Sequence, residues 1–168
     1  MTQPHNDPIT QLEAAHEALR RLFADWRSQA ARKIPVAQAL RQGLAERICL
    51  ELTIHTRLEE ELIYPLARQA IGELAMLDRA ADEHVAGRSL MCQVLLSQAD
   101  DPRYDERVTQ LCEFMERHLR IERQVLLAPL SRCGADLALL GRRLRERRRE
   151  LEAVPEALRE DAIVSSTA

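Results

Sequence analysis

Hydrophobic residues recur every three or four positions along most of the chain, a spacing that places them on one face of an α-helix. A first such line of apolar side chains comprises Ile9, Leu12, Leu19, Phe23 and Trp26. Asp7 followed by Pro8 predicts where this helix begins, because Asp is a favoured N-cap and Pro fits the first helical turn. A second line starts after Pro35 and comprises Leu44, Ile48, Leu52, Leu62 and Leu66.

Two more helices follow. The third lies between Gly72 and the turn at Asp100–Pro102, and its line comprises Leu74, Leu77, Met91 and Leu95. The fourth ends near Gly134, and its line comprises Val108, Leu111, Met115 and Val125. Pro65 should kink or end the second helix, because its ring removes a backbone hydrogen bond and crowds the preceding turn. Four long amphipathic segments with short connections predict an all-α, up-down-up-down four-helix bundle over residues 8–133.

The segments outside this bundle carry weaker patterns. Residues 1–7 are expected to be disordered, and residues 155–168 lose the helical pattern and are expected to fray. Residues 134–154 predict a short, basic fifth helix. Its arginines are Arg142, Arg143, Arg145, Arg147, Arg148 and Arg149. Because Glu146 and Glu150 interleave them, we favour a solvated charged face over a surface for an acidic partner or nucleic acid.

Composition narrows the class of protein. A chain of 168 residues with 46% hydrophobic and 30% charged residues is typical of one soluble domain. No apolar run approaches the roughly 18 residues that a membrane span needs. The N-terminus lacks the pattern of a secretory signal, so we expect a cytoplasmic protein. A net charge of −3 predicts no general attraction to nucleic acid or membranes.

Two further counts are informative. Arginine numbers 23 against a single lysine, Lys33, a bias that hints at GC-rich coding and a bacterial source. The four cysteines contain no C-x-x-C pair, and in a cytoplasmic chain we expect them to be reduced thiols.

The positions of the histidines along the chain are the main indication of a binding site. Of five histidines, His5 lies in the unpatterned N-terminus, and each of the other four falls on a different predicted helix. Those four are His16, His55, His84 and His118. His55 and His118 are followed four residues later by Glu59 and Glu122. Residues at i and i+4 lie on the same face of a helix, so each pair can present a nitrogen and an oxygen to one point.

These six side chains share the helical phase of the apolar core positions. Burying two carboxylates without compensation costs several kcal/mol each, and a cation offsets that cost. Imidazole and carboxylate ligands suit iron, with manganese or zinc as alternatives. Six donors exceed one tetrahedral site and suit two metals bridged by the glutamates. A single His-x-x-x-Glu pair is ordinarily a surface ion pair; the recurrence across four helices favours the metal interpretation.

The order of these residues resembles the hemerythrin-like (HHE cation-binding) family over about residues 8–131. That resemblance implies a non-haem di-iron centre, oxo- or hydroxo-bridged, with Glu59 and Glu122 bridging two irons. It also implies that one iron has two terminal histidines from the first half of the chain and the other has two from the second half. The pairs would be His16 with His55, and His84 with His118.

The chain departs from the oxygen-carrying members of that family. Those have two histidines on the third helix, whereas here Ala80 and Arg88 flank His84 at i−4 and i+4. They also have an Asp five residues after the fourth-helix histidine, where this chain has Glu122 at i+4. A missing imidazole leaves a position open for water, oxygen, peroxide or NO, which argues against simple oxygen carriage.

Several functions fit this site. We favour a protein that senses or binds oxygen, NO or iron, with a diatomic molecule or peroxide as its ligand. The alternatives are a di-iron redox enzyme acting on peroxide or NO, an iron donor in stress repair, and a structural or storage site. No catalytic residue is assigned. A protein partner, or self-association through the bundle surface or the Arg-rich helix, is left open. Two weaker candidates are Glu51, which would orient His55 or act as a substitute ligand, and Tyr64, which would line an entrance or bond a carboxylate. The simpler interpretations are an acid at the core boundary for Glu51 and ordinary packing for Tyr64.

Overall fold

A computed structural model describes residues 7–32, 37–72, 74–134 and 136–164, and all regular structure within them is helical. The α-helices are α1 (Pro8–Ala30), α2 (Ala37–Leu58), α3 (Tyr64–Ala70), α4 (Leu74–Leu95), α5 (Tyr104–Glu122), α6 (Ala128–Leu130), α7 (Leu137–Glu152) and α8 (Pro155–Val164). Two π-helical segments, π1 (Glu59–Ile63) and π2 (Arg123–Leu127), join α2 to α3 and α5 to α6. Residues 1–6, including His5, lie outside the described residues.

Four helical rods form the predicted four-helix bundle: α1, α2–π1–α3, α4 and α5–π2–α6. Helix α1 packs on α2 and α5, and α4 packs on α2 and α5. The core between them is fully buried and includes Phe23, Trp26, Ile48, Leu52, Leu111 and Met115. The predicted cap is also present, because the Asp7 carboxylate accepts a hydrogen bond from the backbone N–H of Thr10 at 2.9 Å.

Pro65 does not end the second rod. Regular α-helix stops at Leu58, passes through π1 and resumes at Tyr64, so the chain stays helical on both sides of the proline. The second π-helical segment likewise ends shortly before Pro129. Because proline donates no backbone hydrogen bond and crowds the preceding turn, a wider π-helical turn accommodates it.

Each π-helical segment shifts the buried face by one residue. After π1 begins, Ile63 and Ala67 are fully buried, whereas the predicted core residues Leu62 and Leu66 are half-buried. The regular 3.6-residue period was therefore wrong beyond Glu59, because a π-turn holds an extra residue.

The fourth rod shows the same shift. Val125, predicted to face the core, is exposed, and Leu126 and Leu130 occupy the core in its place. The predicted face is correct up to Glu122 and displaced after it. The two metal-ligand candidates of the second rod and the two of the fourth therefore lie before the displaced residues.

The structure corrects the prediction of a frayed tail for residues 155–164. Pro155–Val164 is a helix rather than a frayed tail, and Leu158 and Ala162, one turn apart, are buried. Helix α8 packs on α2 and α4, which gives it the tertiary contacts that a short helix needs. Residues 165–168 lie outside the described part of the chain.

The basic helix α7 packs on α1 and α2. Its residues Leu140, Leu144 and Leu151 are buried in the same core cluster as Leu12 and Ile54 of the bundle. Helices α7 and α8 thus contribute side chains to the same hydrophobic core cluster as the bundle.

Two arginines of α7 make ion pairs with the second rod. Arg147 donates to Glu61 at 2.7 Å, and Arg148 donates to Glu51 at 2.7 Å. These pairs direct part of the basic face toward the bundle. Each described helix is too short or too polar to cross a membrane.

Candidate metal centre

The six side chains predicted to bind metal meet inside the bundle. They come from four different rods and are His16, His55, Glu59, His84, His118 and Glu122. Each is at most 3% exposed. The helical phase that placed them on the core side is therefore confirmed for all six.

Four of the six form a first group. The Nε2 atom of His16 lies 3.9 Å from Glu59 Oε1 and 3.7 Å from Glu122 Oε2. The Nε2 atom of His55 lies 3.2 Å and 3.8 Å from the same two oxygens. Two nitrogens and two carboxylate oxygens thus surround one point, within reach of a single ion.

A second group lies on the other side of Glu59. His84 Nε2 is 3.3 Å from Glu59 Oε2 and 3.1 Å from His118 Nε2. Glu122 Oε2 is 3.6 Å from His118 Nε2. Glu59 belongs to both groups, with Oε1 facing the first and Oε2 facing the second. This is the placement that a bridging carboxylate requires.

The centre also holds buried polar atoms without hydrogen-bond partners. They are both ring nitrogens of His16, Nε2 of His55, both oxygens of Glu59 and Oε2 of Glu122. An unpaired buried polar atom costs about 1–3 kcal/mol, and among the described residues such atoms concentrate at this one place. Cations bound by these donors would satisfy most of these atoms, so the residues fit a dinuclear metal site.

The pKa shifts of the two carboxylates, Glu59 and Glu122, also favour a bound cation. Burial and the nearby charge of Glu59 raise the pKa of Glu122 well above its usual value. Burial also opposes ionisation of Glu59, but the neighbouring imidazoles, His55 foremost, hold its pKa well below the usual value. The site therefore disfavours two negative charges together unless a cation accompanies them.

The histidines differ in their preferred charge. Burial lowers the pKa of His55 to about 3, so this ring is neutral and its lone pair is free to bind an ion. Burial also lowers the pKa of His118, with His84 contributing. For His84 burial acts in the same direction, but the neighbouring carboxylates of Glu59 and Glu60 outweigh it and raise the pKa to about 9.

Two outer carboxylates orient the histidines of the second group. Glu60 Oε1 lies 3.0 Å from His84 Nδ1 and also accepts a 2.6 Å hydrogen bond from Arg88. Glu83 Oε2 lies 2.6 Å from His118 Nδ1. A carboxylate on Nδ1 turns Nε2 toward the metal position and makes it a stronger ligand.

Sequence reasoning missed Glu60 and Glu83. Each pairs with a histidine on a different rod, and helical spacing within one segment carries no information about such contacts. Their only signal is position beside a predicted ligand: Glu60 follows Glu59, and Glu83 precedes His84.

The two weaker candidates had different outcomes. The Tyr64 hydroxyl donates to Glu122 Oε1 at 2.9 Å and lies 3.1 Å from His84 Nε2, which confirms that it bonds a carboxylate. Glu51 instead accepts from Arg148 on α7, so the predicted role of orienting His55 is replaced by an ion pair.

Fold and site together define a helical-bundle protein with a buried histidine and glutamate cluster suited to two metal ions. The family model "Hemerythrin HHE cation binding domain" matches residues 7–130. The chain belongs to this family.

The chain is also similar to individual proteins. A curated protein described as a DNA nickase, from Nostoc sp. (strain PCC 7120 / SAG 25.82 / UTEX 2576), is 31% identical over 84 residues, which is 50% of this chain and 24% of that protein. The chain thus spans about a quarter of the length of this relative. Among solved structures, a hemerythrin HHE cation binding domain-containing protein, the Rv2633c homolog from Mycobacterium kansasii, superposes with a TM-score of 0.74. The match covers 95% of this chain and 98% of that one at 21% identity, which establishes a shared fold.

Proposed function

We propose that this chain is a non-haem di-iron protein that binds or senses a small molecule such as oxygen, NO or peroxide. One observation carries the proposal: six buried donor side chains form two groups that share Glu59. In this assignment His16 and His55 hold one ion, and His84 and His118 hold the other. Glu59 and Glu122 supply the negative charge that both ions share.

The chemistry of the donor set supports iron. Four imidazoles and two carboxylates, without thiolates, suit iron better than softer or purely oxygen-preferring metals, and manganese or zinc are the alternatives to be measured. When bound, the pair of irons would supply redox chemistry and a position at which a small ligand exchanges.

The protein's own residues hold this centre in place. The bundle keeps all six donors at or below 3% exposure, which limits water around them. Glu60 and Glu83 fix the rings of His84 and His118 from outside. We infer a cytoplasmic location as well, and the four free cysteines support a reducing compartment.

Metal content tests the proposal. Protein grown without added metal and purified without chelators should contain about two iron ions per chain by elemental analysis. His118→Ala and Glu122→Ala should each lower that content, whereas Glu113→Ala, at an exposed position on the same helix, should leave it unchanged. If neither the His118 nor the Glu122 variant loses metal, the assigned site is wrong.

A redox enzyme acting on peroxide or NO is the second candidate, and Tyr64 favours it. Its buried hydroxyl reaches both Glu122 and His84, so an O–H donor faces the centre from inside the bundle. Turnover of peroxide or NO that continues over many equivalents would support this function. A spectral change that stops after one equivalent would support binding or sensing.

A further inference from the structure

A cleft between α4 and α5 leads from the protein surface to the metal centre. It has a volume of about 210 Å³, and α4 contributes Met76, Arg79, Ala80 and Glu83 to its walls. The facing wall from α5 and π2 consists of His118, Ile121, Glu122 and Val125. Its inner end is therefore formed by two of the six candidate ligands.

The cleft reaches the centre at two candidate ligands, one from each group. His118 belongs to the second group, which offers three residues, and Glu122 belongs to the first, which offers four. Ala80 lies one helical turn before His84 and ends in a methyl group, so α4 contributes only one imidazole on this side. The cleft therefore opens on the side of the centre where α4 has Ala80 in place of a second histidine.

The outer carboxylate Glu83 is part of the cleft and also contacts a candidate ligand, His118. It forms part of the cleft wall and is held by the 2.6 Å contact with His118 Nδ1. This contact places the Glu83 carboxylate at the cleft wall beside His118.

The dimensions and walls of the cleft identify what it admits. Pockets for organic ligands are typically about 300–1,000 Å³, and this cleft is smaller. Four of its lining side chains are apolar, and the charges of Arg79 and Glu83 are opposite in sign. Neither a bulky substrate nor an anion is favoured by such walls.

We propose that the α4/α5 cleft is the entry route for a small uncharged ligand to the metal centre beside His118 and Glu122, with Ala80 setting its width. This inference rests on the proposed function, since it presumes that these residues hold metal. It adds where a ligand reaches the centre and which residue controls access.

Nitric oxide binding tests the route. The probe is NO, mixed anaerobically with wild-type and variant protein loaded with Fe(II), and the absorbance change is followed by stopped flow. Ala80→Phe should slow association by about tenfold or more, because the ring must move before a ligand enters. Ala86→Phe places the same ring at an exposed position on α4 and should stay within about twofold of wild type.

Equilibrium affinity separates a blocked route from a damaged site. A narrower route slows association and dissociation alike, so the Kd of Ala80→Phe for NO should change by less than about threefold. A large loss of affinity together with reduced iron content would mean that the substitution disturbed the ligands, and would overturn the assignment to Ala80.

A widening variant covers the case in which Ala80→Phe does not fold. Ile121 lies on the facing wall and is 45% exposed, so Ile121→Ala should fold and should accelerate NO association by about twofold or more. If Ile121→Ala, and Ala80→Phe where it folds, keep the wild-type rate with full iron content, the cleft is not the route although the di-iron proposal stands. Absence of bound iron in wild type would instead defeat the proposed function itself.

Discussion

Glu59 and Glu122 lie at the two points where the bundle's helical winding changes, one residue apart in their position relative to the π-turn. Glu59 is the first residue of π1, and Glu122 is the residue immediately before π2. Each carboxylate is thus held by regular α-helix on its N-terminal side, in register with the histidine four residues earlier. The extra residue of the π-turn comes only after the donor pair is complete, so packing beyond the site adjusts without moving it.

The shared position of Glu59 makes its loss more severe than that of a terminal histidine. Glu59→Ala removes a donor from both groups, whereas His16→Ala removes one only from the first. We expect Glu59→Ala to lose most of both ions and His16→Ala to retain the ion held by His84 and His118. Elemental analysis of purified variants checks this. Equal metal content in the two variants would contradict a bridging role.

Outer carboxylates should control metal affinity without binding metal. Glu83→Gln keeps the size of the side chain but removes the charge that pairs with His118 Nδ1. Loss of such a partner typically weakens metal binding by about 10- to 100-fold. Competition with a chelator of known affinity measures the change. Glu113→Gln, exposed on α5, is the control and should bind as wild type does.

Metal removal should destabilise the protein. Binding to the folded state adds about 2.7 kcal/mol per site when free metal is about 100 times Kd. At about 2–4 °C per kcal/mol for a chain of this size, the apo-protein should melt several degrees below the loaded form. Thermal unfolding with and without Fe(II) under anaerobic conditions gives the comparison. Identical melting temperatures would show that these residues do not bind the ion.

Helix α7 should contribute to stability as part of the core. Leu144 is buried among bundle residues, so Leu144→Ala should cost about 2–5 kcal/mol of unfolding free energy. Leu139→Ala on the same helix removes a side chain that is 43% exposed and should cost much less. Urea unfolding distinguishes them. A small, equal effect for both would mean that α7 is an appendage.

Tyr64→Phe removes the hydroxyl and keeps the ring, so it tests the contribution of the hydroxyl alone. The variant leaves Glu122 Oε1 without the donor that it has in wild type, and an unpaired buried acceptor costs about 1–3 kcal/mol. Bound metal would engage Glu122 from the other side, so we expect a larger drop in melting temperature for the metal-free protein than for the loaded one. A drop of the same size in both forms would indicate that Glu122 makes no contact with the ion.

The sequence was sufficient to predict the bundle and the meeting of six donors, because both depend on the 3.6-residue helical period. The same period misplaced Leu62 and Val125, since the π-helical turns before Pro65 and Pro129 break it. Proline is visible in a sequence, but whether a helix responds with a kink, an end or a wider turn depends on packing against other rods.

The remaining misses are contacts between rods. Glu60 reaches His84, and Glu83 reaches His118, across gaps that spacing along one helix does not encode. Helix α8 was missed for a related reason: Leu158 and Ala162 are too few to show a pattern alone, and the helix is stabilised by the groove between α2 and α4.

The ion pair between Arg147 and Glu61 joins the outermost layer of the protein to the turn that begins with Glu59. Glu61 lies only two residues beyond that buried carboxylate, and its partner stands at the molecular surface. A displacement of the π1 turn therefore changes a surface contact directly, without repacking the layers between. The buried carboxylate of Glu59 and the surface ion pair of Glu61 thus belong to the same turn of helix.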